Sequence, residues 1–179
     1  MNLKEATWEH HKNAERQAFV KVLMSGKIDK ELYATFLYNQ HIQYNILEAI
    51  AMTHGLLPHP AIRRSPSILD DFKELWPKQE MPKTLKVTEK YLEHMRTIMG
   101  DPDKVMAHVY VRHMGDLSGG QMIKKKIPGE GRLYQFDAPV DELKTAIREQ
   151  LNDDMAEEAK ICFDFATETF KEMMEVDND

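Results

Sequence analysis

Two segments far apart in the chain hold the residue types that could do chemistry. In the first, Lys4, Thr7, His11 and Glu15 step by three, four and four, which places them on one stripe of a helix. Glu15 can accept a hydrogen bond from His11 Nδ1. That makes the ring more basic and leaves Nε2 free to bind a metal. Lys4 puts a positive charge roughly 10 Å further along the axis. The second segment runs His108-Val-Tyr-Val-Arg-His-Met-Gly-Asp-Leu-Ser-Gly-Gly-Gln121 and reads as a helix, yet it carries Gly115, Gly119 and Gly120. Each interior glycine costs roughly 1 kcal/mol of helix stability relative to alanine. Gly115 and Gly119 are four apart, so they face one side and clear a strip of bare backbone for a flat ligand. Arg112 and Asp116, also four apart, set a charge pair beside that strip. Taken singly, each segment also has a plainer reading: His11 in a salt-bridged surface stripe, and a kinked core helix whose glycines serve close packing.

Several function classes fall away. Leu117-Ser-Gly-Gly-Gln121 matches the signature loop of ABC-type ATPases, but such an enzyme also needs a phosphate loop ending in Gly-Lys-Ser or Gly-Lys-Thr. The only Gly-Lys here is Gly26-Lys27, followed by Ile28. A di-iron bundle needs glutamate three residues before its histidines. The residues at that spacing are Thr7, Trp8, Tyr38, Ala51, Leu56, Tyr91, Val105 and Tyr110, none of them glutamate. Cys162 is the only cysteine, which excludes an intrachain disulfide and a thiolate-rich zinc site. It reads as a core or interfacial cysteine in a reducing cytoplasm. The net charge of −6 argues against a nucleic-acid binder. No apolar run approaches membrane-spanning length, and the charged start is not a signal peptide.

The elements that must position these residues are helices. Asn2 caps a first helix with Glu5 as its capping-box partner, and Asp29 caps a long helix through about Thr53. Gly55-Leu-Leu-Pro-His-Pro60 is a break. Ser67 opens a short helix ending near Trp76-Pro77, and Pro82 starts another that stops at Gly100. Asp101-Pro102 caps and opens the glycine-bearing helix, which should end by Pro128-Gly129. Asp137 and Pro139 launch a helix to about Asn152, and the last runs from Asp153 to Met174. No strand-like alternation or hairpin turn occurs. The 179 residues therefore form one all-α domain, with the last few residues a disordered acidic tail.

Along nearly its whole length the chain resembles heme oxygenases. The likeness rests on Leu3-Lys-Glu-Ala-Thr7, on His11-x-x-Ala-Glu15, and above all on the block His108–Gln121. It continues through Lys124-Lys125, Gly129-Glu-Gly131, Tyr134-Gln-Phe136, Lys144-x-x-x-Arg148 and Glu157-Glu-Ala-Lys160, with Phe163 and Phe170 beyond. The resemblance implies heme b, as both cofactor and substrate, lying between the first helix and a distal helix through Gly115 and Gly119. It implies His11 as the iron ligand with Glu15 behind it, and Asp116 holding a distal water network with Arg112 nearby. Lys4, Tyr110, Lys144 and Arg148 would hold the propionates, and Phe163 would pack on the macrocycle.

The implied reaction is cleavage of heme with O2 and externally supplied electrons to biliverdin, carbon monoxide and ferrous iron, with attack at the α position as the family's usual outcome. The implied partners are a ferredoxin as electron donor and a downstream bilin reductase, in the cytoplasm. An acidic ferredoxin would need a local positive patch, for which Lys124, Lys125, Lys126, Arg112, Lys12 and Lys144 are candidates. The sequence departs from the family pattern at Trp8, where a second propionate lysine is frequent. It departs also at Ile147, in place of a tyrosine, and at Ala166, in place of an asparagine. Gln43 and Tyr44 compete for one tyrosine position. Two other classes remain: a heme carrier without oxygen activation, and an all-α relative of the thiaminase-like group. Cys162 lacks the histidine or acid pattern that would mark it as a nucleophile for the latter.

Overall fold

The computed structural model describes residues 2–176, and among them every regular element is helical. The acidic stretch 177–179 expected as a tail lies outside the described residues. Ten α-helices follow one another: α1 Leu3–Ala6, α2 Trp8–Glu15, α3 Ala18–Met24, α4 Lys30–Thr53, α5 Ser65–Leu75, α6 Lys86–Ile98, α7 Pro102–Leu117, α8 Gly120–Ile123, α9 Val140–Arg148 and α10 Ala156–Val176. Short 3-10 turns at Pro60–Ile62, Arg132–Tyr134 and Asp153–Met155 join them.

The long helices start where the capping residues stand. The Asp29 carboxylate accepts from the amides of Glu31 and Leu32, and Asp101 accepts from Lys104 with Pro102 in the first turn. The Asn2 side chain accepts from the Glu5 amide. Elsewhere the sequence boundaries shift for identifiable reasons. The first helix pauses at Thr7, whose hydroxyl bonds back to the Leu3 carbonyl at 2.9 Å, so Lys4 and His11 sit on separate helices. α5 opens two residues before Ser67, because Glu48 accepts from the amides of Arg64 and Ser65 at 2.6 and 2.8 Å and so supplies the cap from another helix.

α6 opens at Lys86 and not at Pro82. The Asn39 side chain binds the Lys83 carbonyl and the Leu85 amide at 2.9 Å each, holding that segment extended. Glu172 of α10 then accepts from the Lys86 and Val87 amides. The glycine-bearing helix stops at Leu117, well short of Pro128, because Ser118 leaves helical backbone at φ −104°, ψ −90°. α9 opens at Val140 directly after Pro139 but ends at Arg148, short of Asn152, and the 3-10 turn at Asp153–Met155 precedes α10.

The interior has two apolar clusters. One gathers Leu47, Tyr91, Val105, Val109, Leu143, Cys162 and Phe163 between α4, α6, α7, α9 and α10. The other gathers Phe19, Tyr33, Phe36, Leu37, Phe72 and Leu133 between α3, α4 and α5. Phe165 and Phe170 of α10 pack against both. α10 thus lies against α2, α3, α6 and α7, and it carries the residues that face His11. Among the described residues, no helix is long and apolar enough to cross a membrane.

Candidate active site

On α2 the His11 ring is held on three sides. Its Nε2 lies 2.7 Å from Glu15 Oε1, its face stacks on Phe163 at 5.0 Å with 14° between planes, and Trp8 meets it edge-on at 5.6 Å. Phe163 is buried in α10, while His11 remains about one-third exposed. The bond to Glu15 therefore runs through Nε2, where the sequence pointed to Nδ1: a glutamate four residues on reaches the tip of the ring. Trp8 forms a wall of the histidine site, a role its sequence position did not disclose. Its neighbour His10 turns away to Asp164 of α10, with Nδ1 2.8 Å from Oδ1.

Gly115 in the last turn of α7 and Gly119 just before α8 are bare backbone facing open space. A β-carbon built on Gly115 meets nothing within 4 Å, and one on Gly119 meets only the Gly115 carbonyl at 3.9 Å. Gly115, Ser118 and Gly119 are exposed although Arg112, His113, Asp116 and Leu117 around them are buried. Gly120 has a different reason to lack a side chain. Its β-carbon would fall 2.6 Å and 2.7 Å from two ring carbons of Tyr134. Two glycines thus leave a cradle, and the third accommodates a neighbour.

Behind the strip lies a buried polar layer. Tyr44 of α4 donates to Asp116 Oδ2 at 2.8 Å. Burial pushes the Asp116 carboxyl up to about 6, against the pull of His113, the Tyr44 hydroxyl, Arg64 and Arg112. The expected Arg112–Asp116 pair does not form. Arg112 turns instead to Gln43 Oε1 and to the Tyr91 hydroxyl, its guanidinium 4.3 Å from the Tyr91 ring centre. These neutral partners hold its charge inside the core, and a 7 % exposed side chain takes no part in a surface patch. Gln43, the other residue considered for that tyrosine position, is thus the acceptor that fixes Arg112.

His113 Nε2 lies 2.8 Å from Glu48 Oε2. Burial alone would raise the Glu48 carboxyl, but His113 and the Arg64 and Ser65 amides together hold it below its ordinary value. Arg64, unremarked in the sequence, is buried and donates to the Leu133 and Gln135 carbonyls at 3.0 and 2.7 Å. It lies 4.0 Å over the Phe136 ring and so pins the segment that follows α8.

Of the candidate anion anchors, Tyr110 of α7 is half-buried beside Thr7 and Arg148, so α1, α7 and α9 converge there. Arg148 and Lys4 are exposed, and Lys144, one turn before Arg148 on α9, is half-buried.

A second polar cluster, which sequence spacing did not reveal, lies on the far side of Tyr91. His94 of α6 and His108 of α7 both direct Nε2 at Glu158 Oε2 of α10, at 2.6 and 2.8 Å. His108 Nδ1 is 2.8 Å from the Tyr91 hydroxyl. Burial opposes charge on His108, but Cys162, Tyr91 and Glu158 outweigh it and hold the imidazole well above its usual range. The three residues come from three helices, so no local motif announces them.

The family model for heme oxygenase matches residues 1–179. The chain belongs to the heme oxygenase family. It is 30 % identical to mouse heme oxygenase 2 in an alignment covering 96 % of this chain and 64 % of the mouse protein, so it spans under two thirds of that relative's length. Heme oxygenase from Leptospira interrogans superposes with a TM-score of 0.82 at 28 % identity, covering 95 % of this chain and 97 % of that one. The structure of heme oxygenase-2 from the cyanobacterium Synechocystis in complex with heme and NO superposes with a TM-score of 0.83 at 25 % identity, covering 97 % and 84 %. The residues in place fit a heme: an imidazole on α2, and at the α7–α8 junction two glycines whose missing side chains would otherwise fill the cradle.

Proposed function

We propose that this heme oxygenase family member binds heme b between α2 and α7. It would cleave the heme with O2 and external electrons to biliverdin, carbon monoxide and ferrous iron, with attack at the α position. The observation that carries this reading is the open backbone at Gly115 and Gly119 directly beside the buried Asp116–Tyr44 pair. A site that only stored a macrocycle would need the first feature and not the second, which argues against a carrier.

Bound heme supplies the iron that activates dioxygen and the ring that is oxidised. The side chains supply the rest. The His11 imidazole would hold the iron, with Glu15 giving up its present bond to Nε2. Trp8 and Phe163 restrict how far that ring can turn. The open backbone at Gly115 and Gly119 would let one face of the ring lie close to the main chain. Asp116, oriented by Tyr44, has a second oxygen that would accept from water and hold or release a proton beside the bound ring. Lys4, Tyr110, Lys144 and Arg148 would engage the propionates and set the rotation of the ring, and hence the carbon attacked. Arg112 serves from the core, holding the α4–α7 contact that presents Asp116.

Nothing in the side-chain set supplies electrons, and ferredoxin is the donor we assign. Lys125 and Lys126 are exposed just beyond α8 with Lys124 half-buried beside them, a small positive area on an acidic chain. The test is to add ascorbate in air to the hemin complex. Loss of the Soret band with growth of biliverdin absorbance is the expected result, and His11→Ala should abolish both tight coordination and turnover. Stable heme under these conditions would return the protein to a carrier.

A further inference from the structure

We propose that His94, His108 and Glu158 form a binding site for a divalent transition-metal ion of the zinc class, separate from the heme site. The ligand atoms arrive from α6, α7 and α10 and lie within 4.8 Å of one another. Both imidazoles aim Nε2 at the same carboxylate oxygen, so three candidate ligand atoms meet in one place once the protons between them are lost. Ligand atoms around a tetrahedral zinc ion stand about 3.3 Å apart, given bond lengths of about 2.0–2.2 Å. Reaching that geometry needs Glu158 Oε2 to draw back from both rings, opening the 2.6 and 2.8 Å contacts so that an ion can sit among the three atoms.

The surroundings suit an ion. Tyr91 engages His108 Nδ1 at 2.8 Å, the outer hydrogen bond that orients a metal-binding histidine. The Tyr91 oxygen also accepts from Arg112 Nε at 3.2 Å, and it has a second lone pair for an Nδ1 proton. His108 can therefore present a bare Nε2 to a metal while its Nδ1 proton stays bonded to the Tyr91 oxygen. Two nitrogens and one oxygen favour zinc, cobalt or ferrous ions over magnesium or calcium. Three protein ligands leave a fourth position for water.

The site also has an entrance. The His94 side chain is 22 % exposed, whereas those of Glu158 and His108 are 6 % and 0 % exposed. An ion can be captured by His94 at the surface and drawn onto the inner pair. Its binding would clamp α6, α7 and α10 together and displace protons from the imidazoles.

The experiment is a titration of the full chain, with and without hemin, using Zn2+ in competition with a chromophoric chelator. Co2+ serves as a spectroscopic probe. Expected are one saturable equivalent, visible d–d bands of a low-coordinate cobalt site, and shifts of the His94 and His108 ring resonances on adding Zn2+. His11→Ala should keep this uptake, while His94→Gln and Glu158→Gln should weaken it by at least about tenfold. His94→Gln leaves the buried His108–Glu158 bond intact, and circular dichroism checks that it folds. Failure of the wild type to take up metal, uptake unchanged in His94→Gln, or uptake lost in His11→Ala would each overturn the proposal. A triad that is only hydrogen-bonded would give the first of these results.

Discussion

The Tyr44 hydroxyl donates to Asp116 Oδ2 across 2.8 Å, joining the middle of α4 to the last turn of α7 where both side chains are buried. The bond does two things at once. It fixes the rotamer of the carboxylate beside the glycine strip, and it offsets part of the desolvation that burial imposes on the charged form.

That coupling has a pH signature. With the Asp116 carboxyl near 6, turnover should rise as pH increases through about 6, because only the ionised form can take up a proton on its free oxygen. Tyr44→Phe removes a bond that favours ionisation, so the rising limb should move to higher pH. A pH profile of kcat in both proteins, driven by ascorbate, checks it. An unshifted limb would remove Tyr44 from the control of Asp116.

The three glycines should separate by experiment. Gly115→Ala meets open space and gains helix propensity, so melting temperature should hold or rise, by up to roughly 1 kcal/mol equivalent. Heme affinity should nonetheless fall. Gly120→Ala drives a methyl into Tyr134 and should cost stability on the order of 1–3 kcal/mol. Thermal melts paired with hemin titrations distinguish the two. Equal effects of both substitutions on heme binding and stability would undo the distinction between cradle and contact.

Acid should weaken the fold through Glu48. Its folded pKa lies below the ordinary value, so its stabilisation is present above about 4.5 and is lost as pH falls through the lower folded value. Glu48→Ala leaves His113 and the Arg64 and Ser65 amides without their acceptor, a loss of roughly 3–5 kcal/mol at neutral pH. The deficit relative to wild type should shrink in acid. Urea melts at neutral pH and near pH 4 measure both.

Replacing Lys124, Lys125 and Lys126 together by glutamate should slow turnover with ferredoxin and leave ascorbate-driven turnover unchanged, as expected for charges that steer a protein partner. Equal loss with both donors would place these lysines outside any docking role.

Much of this was legible in the residues. Capping by Asn2, Asp29 and Asp101 marked helix starts because those signals are local. Gly115 and Gly119 announced a surface where backbone must be reached, and their β-carbon positions are indeed open. Boundaries set by distant side chains were not legible: Glu48 caps α5 from α4, and Glu172 caps α6 from α10. The same limit hid the true partners of Arg112. An arginine four residues before an aspartate suggests a pair, but Gln43 and Tyr91 lie on other helices and win. The convergence of His94, His108 and Glu158 depends on three helices meeting and is invisible to any spacing rule.

Phe165 and Phe170 insert one helix into both apolar clusters, and Phe163 on that same helix backs the His11 ring. Neither half of the molecule can melt while the other persists, so denaturation should be all-or-none, with spectroscopic probes at Trp8 and Trp76 reporting a single transition. Loss of the imidazole's backing and loss of the global structure are one event.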